Sequence, residues 1–262
     1  MDLDLTGKHA LVCGASQGIG RAAAHALAAH GATVTLVARS AATLESARAA
    51  LPAAQGQAHA ALVADFDRPE ALRAALAQTL PSRPPVAILV NNSGGPAGGP
   101  AAAAATDEYL ATFSRHLVCG QILVQAVLPA MRAARWGRIV NVISTSVKEP
   151  IKGLGVSNTT RGAVAAWAKT LSHELGPDNI TVNNVLPGFT RTGRLDEVFE
   201  ARRARSGATR AAVEAEALAE IPLGRFAEPA EIADAVLFLC SPAAGYVSGV
   251  SLPVDGGRLR GL

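Results

Sequence analysis

Cys13-Gly14-Ala15-Ser16-Gln17-Gly18-Ile19-Gly20 is the stretch that decides the fold of this 262-residue chain. It follows an apolar run at 9–13 and opens directly into an alanine-rich segment, 18–30, that predicts a helix. Gly14 permits a tight turn, Gly18 lets backbone approach a pyrophosphate, and Gly20 allows helix and strand to pack closely. The N–H groups that Ser16, Gln17 and Ile19 bring to the helix start, with the positive end of the helix dipole, suit phosphate oxygens. Alone, such a pattern is only a glycine-rich turn. Between an N-terminal strand and a helix, at the head of a βαβ unit, it predicts a dinucleotide site.

Outward from this turn the chain alternates. Short apolar runs at 9–13, 33–38, 60–64, 86–91, 138–143, 181–186 and 250–254 predict strands, and segments near 18–30, 41–51, 69–79, 107–134, 155–175 and 228–240 predict helices. Strands that are apolar throughout belong to a parallel sheet covered on both faces. The expectation is therefore a single α/β domain, 1–262, with a doubly wound seven-stranded parallel sheet. No internal repeat and no linker divides it. Two segments break the rhythm: the Gly/Pro/Ala loop at 94–106 and the stretch 189–220. Both leave the carboxyl ends of strands, where open α/β sheets bind ligands, so they are expected to wall a substrate pocket, with 189–220 as its lid; the plainer alternative is two ordinary surface loops.

Composition narrows the function. Lys plus Arg number 24 against 21 Asp plus Glu, a net +3 that argues against a nucleic-acid partner despite a pI near 9.0. Hydrophobic residues make up 49% and charged residues 17%, which excludes bulk disorder. Cys13, Cys119 and Cys240 are far apart and form no CxxC pair, so neither a disulfide framework nor a metal site is expected. The start, Met1-Asp2-Leu3-Asp4, lacks the marks of a signal peptide, and the uncharged stretch 84–106 is too rich in Gly, Pro and Asn to span a membrane. The expectation is a cytoplasmic protein with no membrane partner.

The second strand ends Val37-Ala38-Arg39-Ser40. A site selecting NAD places an acid at this edge for the ribose 2′-hydroxyl, whereas an arginine accommodates a 2′-phosphate. Arg39, with Ser40, points to NADP(H) rather than NAD(H). The plainer alternative for Arg39 is a solvated residue at a helix start.

Further motifs recur in order: Asn91-Asn92-Ser93-Gly94, Asn141-Val142-Ile143-Ser144, Asn184-Val185-Leu186-Pro187-Gly188, Ile221-Pro222-Leu223-Gly224-Arg225-Phe226 and Pro253-Val254-Asp255-Gly256-Gly257. With the glycine turn they resemble the short-chain dehydrogenase/reductase family over essentially the whole chain, and most of all its β-ketoacyl carrier-protein reductase-like branch. The resemblance implies NAD(P) along the carboxyl edge of the sheet. Asp65 and Phe66 would meet the adenine, Asn91, Ser93 and Gly94 the adenosine ribose, and Pro187, Gly188, Thr190 and Thr192 the nicotinamide end. It also implies a homotetramer or homodimer built on the helices at 107–134 and 155–175.

The catalytic part of the pattern departs from the family. Its chemistry usually rests on Asn, Ser, Tyr and Lys, the last two as Tyr-x-x-x-Lys. Ser144 fills the Ser position, but Ser157 stands for the Tyr, Arg161 for the Lys and His116 for the Asn. Tyr109 and Tyr246 both lie off that helix. A phenol near pKa 10 can be tuned downward by a cation, whereas a serine hydroxyl is a much weaker acid. Arg161, one turn from Ser157, can hold the nicotinamide ribose but cannot give up its proton. His116 ordinarily titrates near neutrality, so it is the expected proton carrier, through a water bridged by Ser144 or Ser157; the alternative is a helix histidine with a satisfied hydrogen bond. His173 is expected at the surface.

The run Arg191, Arg194, Arg202, Arg203, Arg205, Arg210 is interleaved with Asp196, Glu197 and Glu200. Helical i,i+4 pairing explains it; recognition of a substrate carboxylate or phosphate is the sharper alternative. Together these features predict an NADP(H)-dependent oxidoreductase acting on a small ketone or secondary alcohol. The alternatives are a nucleotide-binding sensor or assembly subunit without turnover, and an enzyme using the cofactor internally, as epimerases and dehydratases do.

Overall fold

A computed structural model describes residues 1–261. Its centre is β1 (His9–Cys13), where Ala10 and Val12 face one helix layer while Leu11 and Cys13 face the other. This alternation holds through the sheet, because successive side chains of a strand point to opposite faces. β2 (Thr33–Ala38), β3 (Ala60–Val63), β4 (Val86–Asn91), β5 (Gly137–Val142), β6 (Ile180–Pro187) and β7 (Ser251–Val254) complete a parallel sheet in the order β3-β2-β1-β4-β5-β6-β7. The order reverses between β1 and β4, and the crevice outside that switch point is where the glycine turn lies. The expected fold class is the observed one.

One helix layer holds α1 (Gly18–Ala29), α2 (Ala41–Ala49) and α9 (Pro229–Cys240), and its core is small: Ala23, Ala24 and Ala28 of α1 are buried with Ala233 and Val236 of α9. Methyl-sized side chains let the two helices approach closely, which is what the chain's alanine content is for. The other layer holds α3 (Pro69–Thr79), α5 (Cys119–Ala134) and α6 (Gly155–Leu175), with Leu72, Leu123, Val127 and Leu171 inside. Each fully buried leucine contributes about 1.5–3 kcal/mol of hydrophobic stabilisation.

The helix expected at 107–134 is α4 (Thr106–Phe113) running into α5 through a wider turn, Ser114–Val118, of π geometry. By length and composition alone this helical span could cross a membrane, but Ile122, Leu123, Val127 and Met131 are spent on the sheet. The π turn moves His116 inward, and it is buried. Such turns are frequent at functional sites.

Residues 189–220, featureless in sequence beyond their arginines, contain α7 (Gly193–Ser206) and α8 (Arg210–Ala219). A separate cluster holds them: Phe189, Phe199 and Phe226 pack with centroids 5.6–6.1 Å apart, and Val213 and Ala217 close the cluster from α8. The segment therefore has its own small core beyond the end of β6.

Candidate active site

Three glycines shape the phosphate end. Gly14 has φ +59°, and a Cβ there would come 2.6 Å from Asn92 Nδ2 and 2.8 Å from its carbonyl. Asn92 Nδ2 in turn donates to the carbonyls of Cys13 (3.3 Å) and Gly14 (3.4 Å), tying the loop after β4 to the turn after β1. A Cβ on Gly20 would collide with the Gly14 carbonyl, and one on Gly18, at φ +54°, would touch Thr192 Cγ2 at 3.2 Å. Gln17 caps α1 without a side-chain hydrogen bond, and the first turn carries no acidic residue. The N-terminal amides, which Ser16 and Ile19 flank, are thus left for an anion.

At the neighbouring strand end Arg39 is exposed and Ser40 caps α2, its hydroxyl accepting from Thr43 N at 3.4 Å. Asp65 is partly spent on its own turn, accepting from Asp67 N at 3.1 Å, and Phe66 lies beside it. Beyond β6, Thr190 donates to the Gly188 carbonyl (3.1 Å) and Thr192 to that of Thr190 (3.3 Å), while a Cβ on Gly188 would meet Asp255. Thr192 thereby covers the glycine turn. The two ends expected to hold one dinucleotide adjoin one open edge: glycine turn, Arg39, the Asn91–Gly94 loop and Pro187–Thr192.

The catalytic positions divide into two groups. Phe66, Asn91, Ser93, His116, Asn141 and Arg161 line one cavity. The Ser93 hydroxyl lies 2.6 Å from His116 Nδ1. Arg161 donates to the carbonyls of Val142 (3.0 Å) and Ser93 (3.4 Å), and no carboxylate pairs with it among the described residues. It is a buried cation held by carbonyl dipoles alone, and that burial, with Arg194 nearby, holds its pKa down to about 10. Ser144 and Ser157 are half-buried outside this cavity; the Ser144 hydroxyl accepts from Ser146 N at 3.1 Å.

The surroundings of His116 differ from those of an ordinary histidine. Burial, and then the cations Arg161, Arg115 and Arg194, push its pKa down to about 2, far from the neutral range expected of an ordinary histidine. Its imidazole is neutral at pH 7. Nε2 is buried without a partner, as is Oδ1 of Asn91. His173 is exposed.

One feature of the site has no signature in the sequence. Asn91 Nδ2 donates to Asn141 Oδ1 (2.9 Å), Asn141 Nδ2 to Asn184 Oδ1 (3.0 Å), and Asn184 Nδ2 to Ser251 Oγ (3.1 Å). The four residues are register partners on β4, β5, β6 and β7, so the ladder crosses half the sheet. The motifs name each asparagine, but only strand register brings them side by side.

The arginine run also resolves. Arg191 pairs with Glu228 (3.1 Å), Arg194 with Glu197 (2.9 Å), Arg203 with Glu200 (2.8 Å) and Arg210 with Asp196 (2.7 Å) and Glu214 (2.5 Å). Only the last is the i,i+4 pair expected; the others are i,i+3 or link different segments.

Comparison with known proteins agrees with this geometry. A family model described as enoyl-(acyl carrier protein) reductase matches residues 14–258. A 3-oxoacyl-[acyl-carrier-protein] reductase of Pseudomonas aeruginosa is 37% identical over 97% of this chain and 98% of its own. An L-xylulose reductase of Mesocricetus auratus is 35% identical over 99% of each. The structure of an L-sorbose reductase from Gluconobacter frateurii, complexed with NADPH and L-sorbose, superimposes with a TM-score of 0.92 at 31% identity over the full length of both chains.

Proposed function

The chain belongs to the short-chain dehydrogenase/reductase family, and from that premise we propose that it is an NADP(H)-dependent oxidoreductase interconverting a small ketone and its secondary alcohol. The observation that carries this reading is the open, acid-free glycine turn of α1 continuous with an exposed Arg39. Relatives named as reductases, one of them complexed with NADPH, support it. Gly14, Gly18 and Gly20 keep side chains away from the pyrophosphate, Arg39 and Ser40 meet the 2′-phosphate, and Asp65 and Phe66 flank the adenine. Asn91, Ser93 and Gly94 border the ribose, and Pro187, Gly188, Thr190 and Thr192 the nicotinamide.

When bound, the reduced nicotinamide supplies the hydride. Reduction also needs a proton at the carbonyl oxygen, and here this chain differs from its family. Ser144 donates a hydrogen bond to that oxygen, and Ser157 holds a water that passes on a proton while taking one up from solvent, so that no hydroxide remains in the site. Arg161 presents its charge to the nicotinamide ribose and is fixed by the carbonyls of Val142 and Ser93. His116, neutral, acts as a positioning residue through the Ser93 hydroxyl. Residues 189–220 close over the substrate as a lid.

A second reading has one observation in its favour: no side chain on the Ser157 face of α6 matches the acidity of a phenol. The protein would then bind the nucleotide without turnover, as a sensor or assembly subunit. Fluorescence titration with NADPH and NADH, followed by a panel of 3-oxoacyl thioesters and ketoses read at the nicotinamide absorbance, separates the two. Tighter binding of NADPH with turnover is the expected result. Binding without turnover across the panel favours the sensor, and no binding of either nucleotide sinks both.

A further inference from the structure

Of the arginines in the run, Arg202 and Arg205 have no carboxylate partner among the described residues. They line one open cleft with Lys152, which is likewise unpaired. Arg202 is seated on the Phe189 ring, 5.4 Å from its centroid, and this aims its guanidinium rather than leaving it to wander. Arg205 lies over two glycines: a Cβ at Gly153 would stand 3.1 Å from its Nη2 and one at Gly98 3.4 Å from Nη1. Those glycines belong to two loops stitched together by Gly99 N to the Gly153 carbonyl (2.8 Å) and Gly155 N to the Gly99 carbonyl (2.9 Å). Asn158 ties the second loop back to α6 by donating to the Ile151 carbonyl at 2.9 Å.

The fourth cation of the cleft, Arg194, is neutralised by Glu197 at 2.9 Å and also donates to the Pro96 carbonyl at 2.5 Å. The remaining charge is that of three cations with no anion. Like charges gathered on a shared wall repel one another, and the Phe189 ring beneath Arg202 orients that charge without neutralising it. A monoanion would leave them largely uncompensated; a phosphate monoester, carrying about −1.5 to −2 at neutral pH, matches them and offers oxygens for planar guanidinium donors.

We propose that Lys152, Arg202 and Arg205 form a subsite for the phosphate monoester end of a substrate, in the cleft between α7 and the loops at 94–99 and 150–154. The subsite rests on the oxidoreductase reading for its purpose, since it makes the substrate a carbonyl compound with a phosphate handle. It is separate from the nucleotide phosphates, which are assigned to the glycine turn and Arg39.

The test is calorimetric titration of inorganic phosphate into the NADPH-saturated protein, in the wild type, a Lys152→Gln/Arg205→Gln variant and an Arg39→Gln variant. Phosphate binding weakened about tenfold or more in the double variant and unchanged in Arg39→Gln is expected. NADPH affinity and melting temperature should stay as in the wild type, because Lys152 and Arg205 are exposed. A second arm compares phosphopantetheine with pantetheine, a charged and an uncharged ligand of one skeleton. Tighter binding of the charged member, abolished in the double variant and weakened by salt, is expected. Absence of phosphate binding in the wild type, indifference to the double substitution, or equal affinity within the pair overturns the proposal. Should NADPH itself fail to bind, the oxidoreductase reading falls, and the phosphate titration on the free protein still decides the subsite.

Discussion

Ser93 joins two residues of the candidate active site: its hydroxyl is 2.6 Å from His116 Nδ1, and its carbonyl accepts from Arg161 Nη2 at 3.4 Å. The resemblance to the family places His116 and Arg161 where it usually has Asn and Lys. Neither can act as an ordinary titrating group. The imidazole is held neutral by burial and neighbouring cations, and the guanidinium keeps its proton. On the proposed reading, their coupling through Ser93 makes the trio a positioning device, with the proton supplied elsewhere.

A His116→Ala variant should therefore lose the anchor on Ser93 and loosen Arg161. Weaker NADPH binding, read by fluorescence, with kcat lowered is expected, and His116→Asn, which can still hydrogen-bond Ser93, should recover most of both. Between about pH 6 and 8 the activity profile should show no step removed by either substitution, because an imidazole with a pKa near 2 does not titrate there. A neutral-range limb present in the wild type and absent in His116→Asn would restore His116 as a proton carrier.

Acid should destabilise the fold through two histidines. Burial lowers the pKa of His9 and of His116 below the ordinary histidine value. On unfolding each regains that value, so below about pH 6.5 the unfolded chain binds more protons than the folded one and stability falls as pH falls. Each group contributes a slope on the order of 1 kcal/mol per pH unit in that window. His9 is buried with Nδ1 2.6 Å from the Pro84 carbonyl and Nε2 2.8 Å from Thr35 Oγ1, and it is loss of solvent around the charged ring that opposes its protonation. Urea midpoints measured from about pH 7.5 to 5 should fall steadily, and His116→Asn should flatten that fall; a flat wild-type curve contradicts the assigned neutral state.

The glycine turn makes a graded prediction. Gly14→Ala meets both a left-handed φ of +59° and the Asn92 amide at 2.6 Å, so it should cost roughly 1–2 kcal/mol from backbone conformation alone and abolish nucleotide binding. Gly18→Ala has a similar φ, +54°, but its methyl meets only the movable Thr192 side chain at 3.2 Å. It should unfold at a temperature nearer the wild type and bind NADPH weakly rather than not at all. Equal losses in the two variants would show that backbone conformation, not crowding by Asn92, is what the turn demands.

Much of this architecture is legible in the sequence because its signals are local. The runs 9–13, 33–38 and 86–91 coincide with β1, β2 and β4, since an apolar run that ends in a glycine turn or a helix cap leaves little choice of boundary. The long helix is less legible: its periodicity continues through Ser114–Val118, and nothing in those residue types announces a π turn. α7 and α8 escape because their apolar positions serve a small cluster of three phenylalanines, so the amphipathic stripe is thin beneath many charges. At the site, residue types were readable but environments were not. The usual pKa of His116 depends on water, and the cations Arg115, Arg161 and Arg194 that shift it come from three separate helical segments.

The proposal that Ser157 stands in place of the family's tyrosine yields the sharpest mechanistic prediction. If turnover is limited by proton supply at Ser157, rebuilding the family's pair should raise it. Positioned general acids typically contribute about 10²–10⁴-fold, so Ser157→Tyr combined with Arg161→Lys should increase kcat for a neutral ketone by at least about tenfold, even with imperfect geometry. Arg161→Lys alone should weaken NADPH binding, because one ammonium group cannot reproduce the fork that reaches both Val142 and Ser93. Ser157→Tyr alone lacks the lysine that tunes the phenol, but Arg161 still supplies positive charge one turn away, and a smaller gain with a new basic limb in the pH profile is expected. A double variant that binds NADPH as the wild type does and shows neither gain nor limb would mean that Ser144 and solvent already deliver the proton, and that the Tyr-to-Ser exchange answers to the substrate instead.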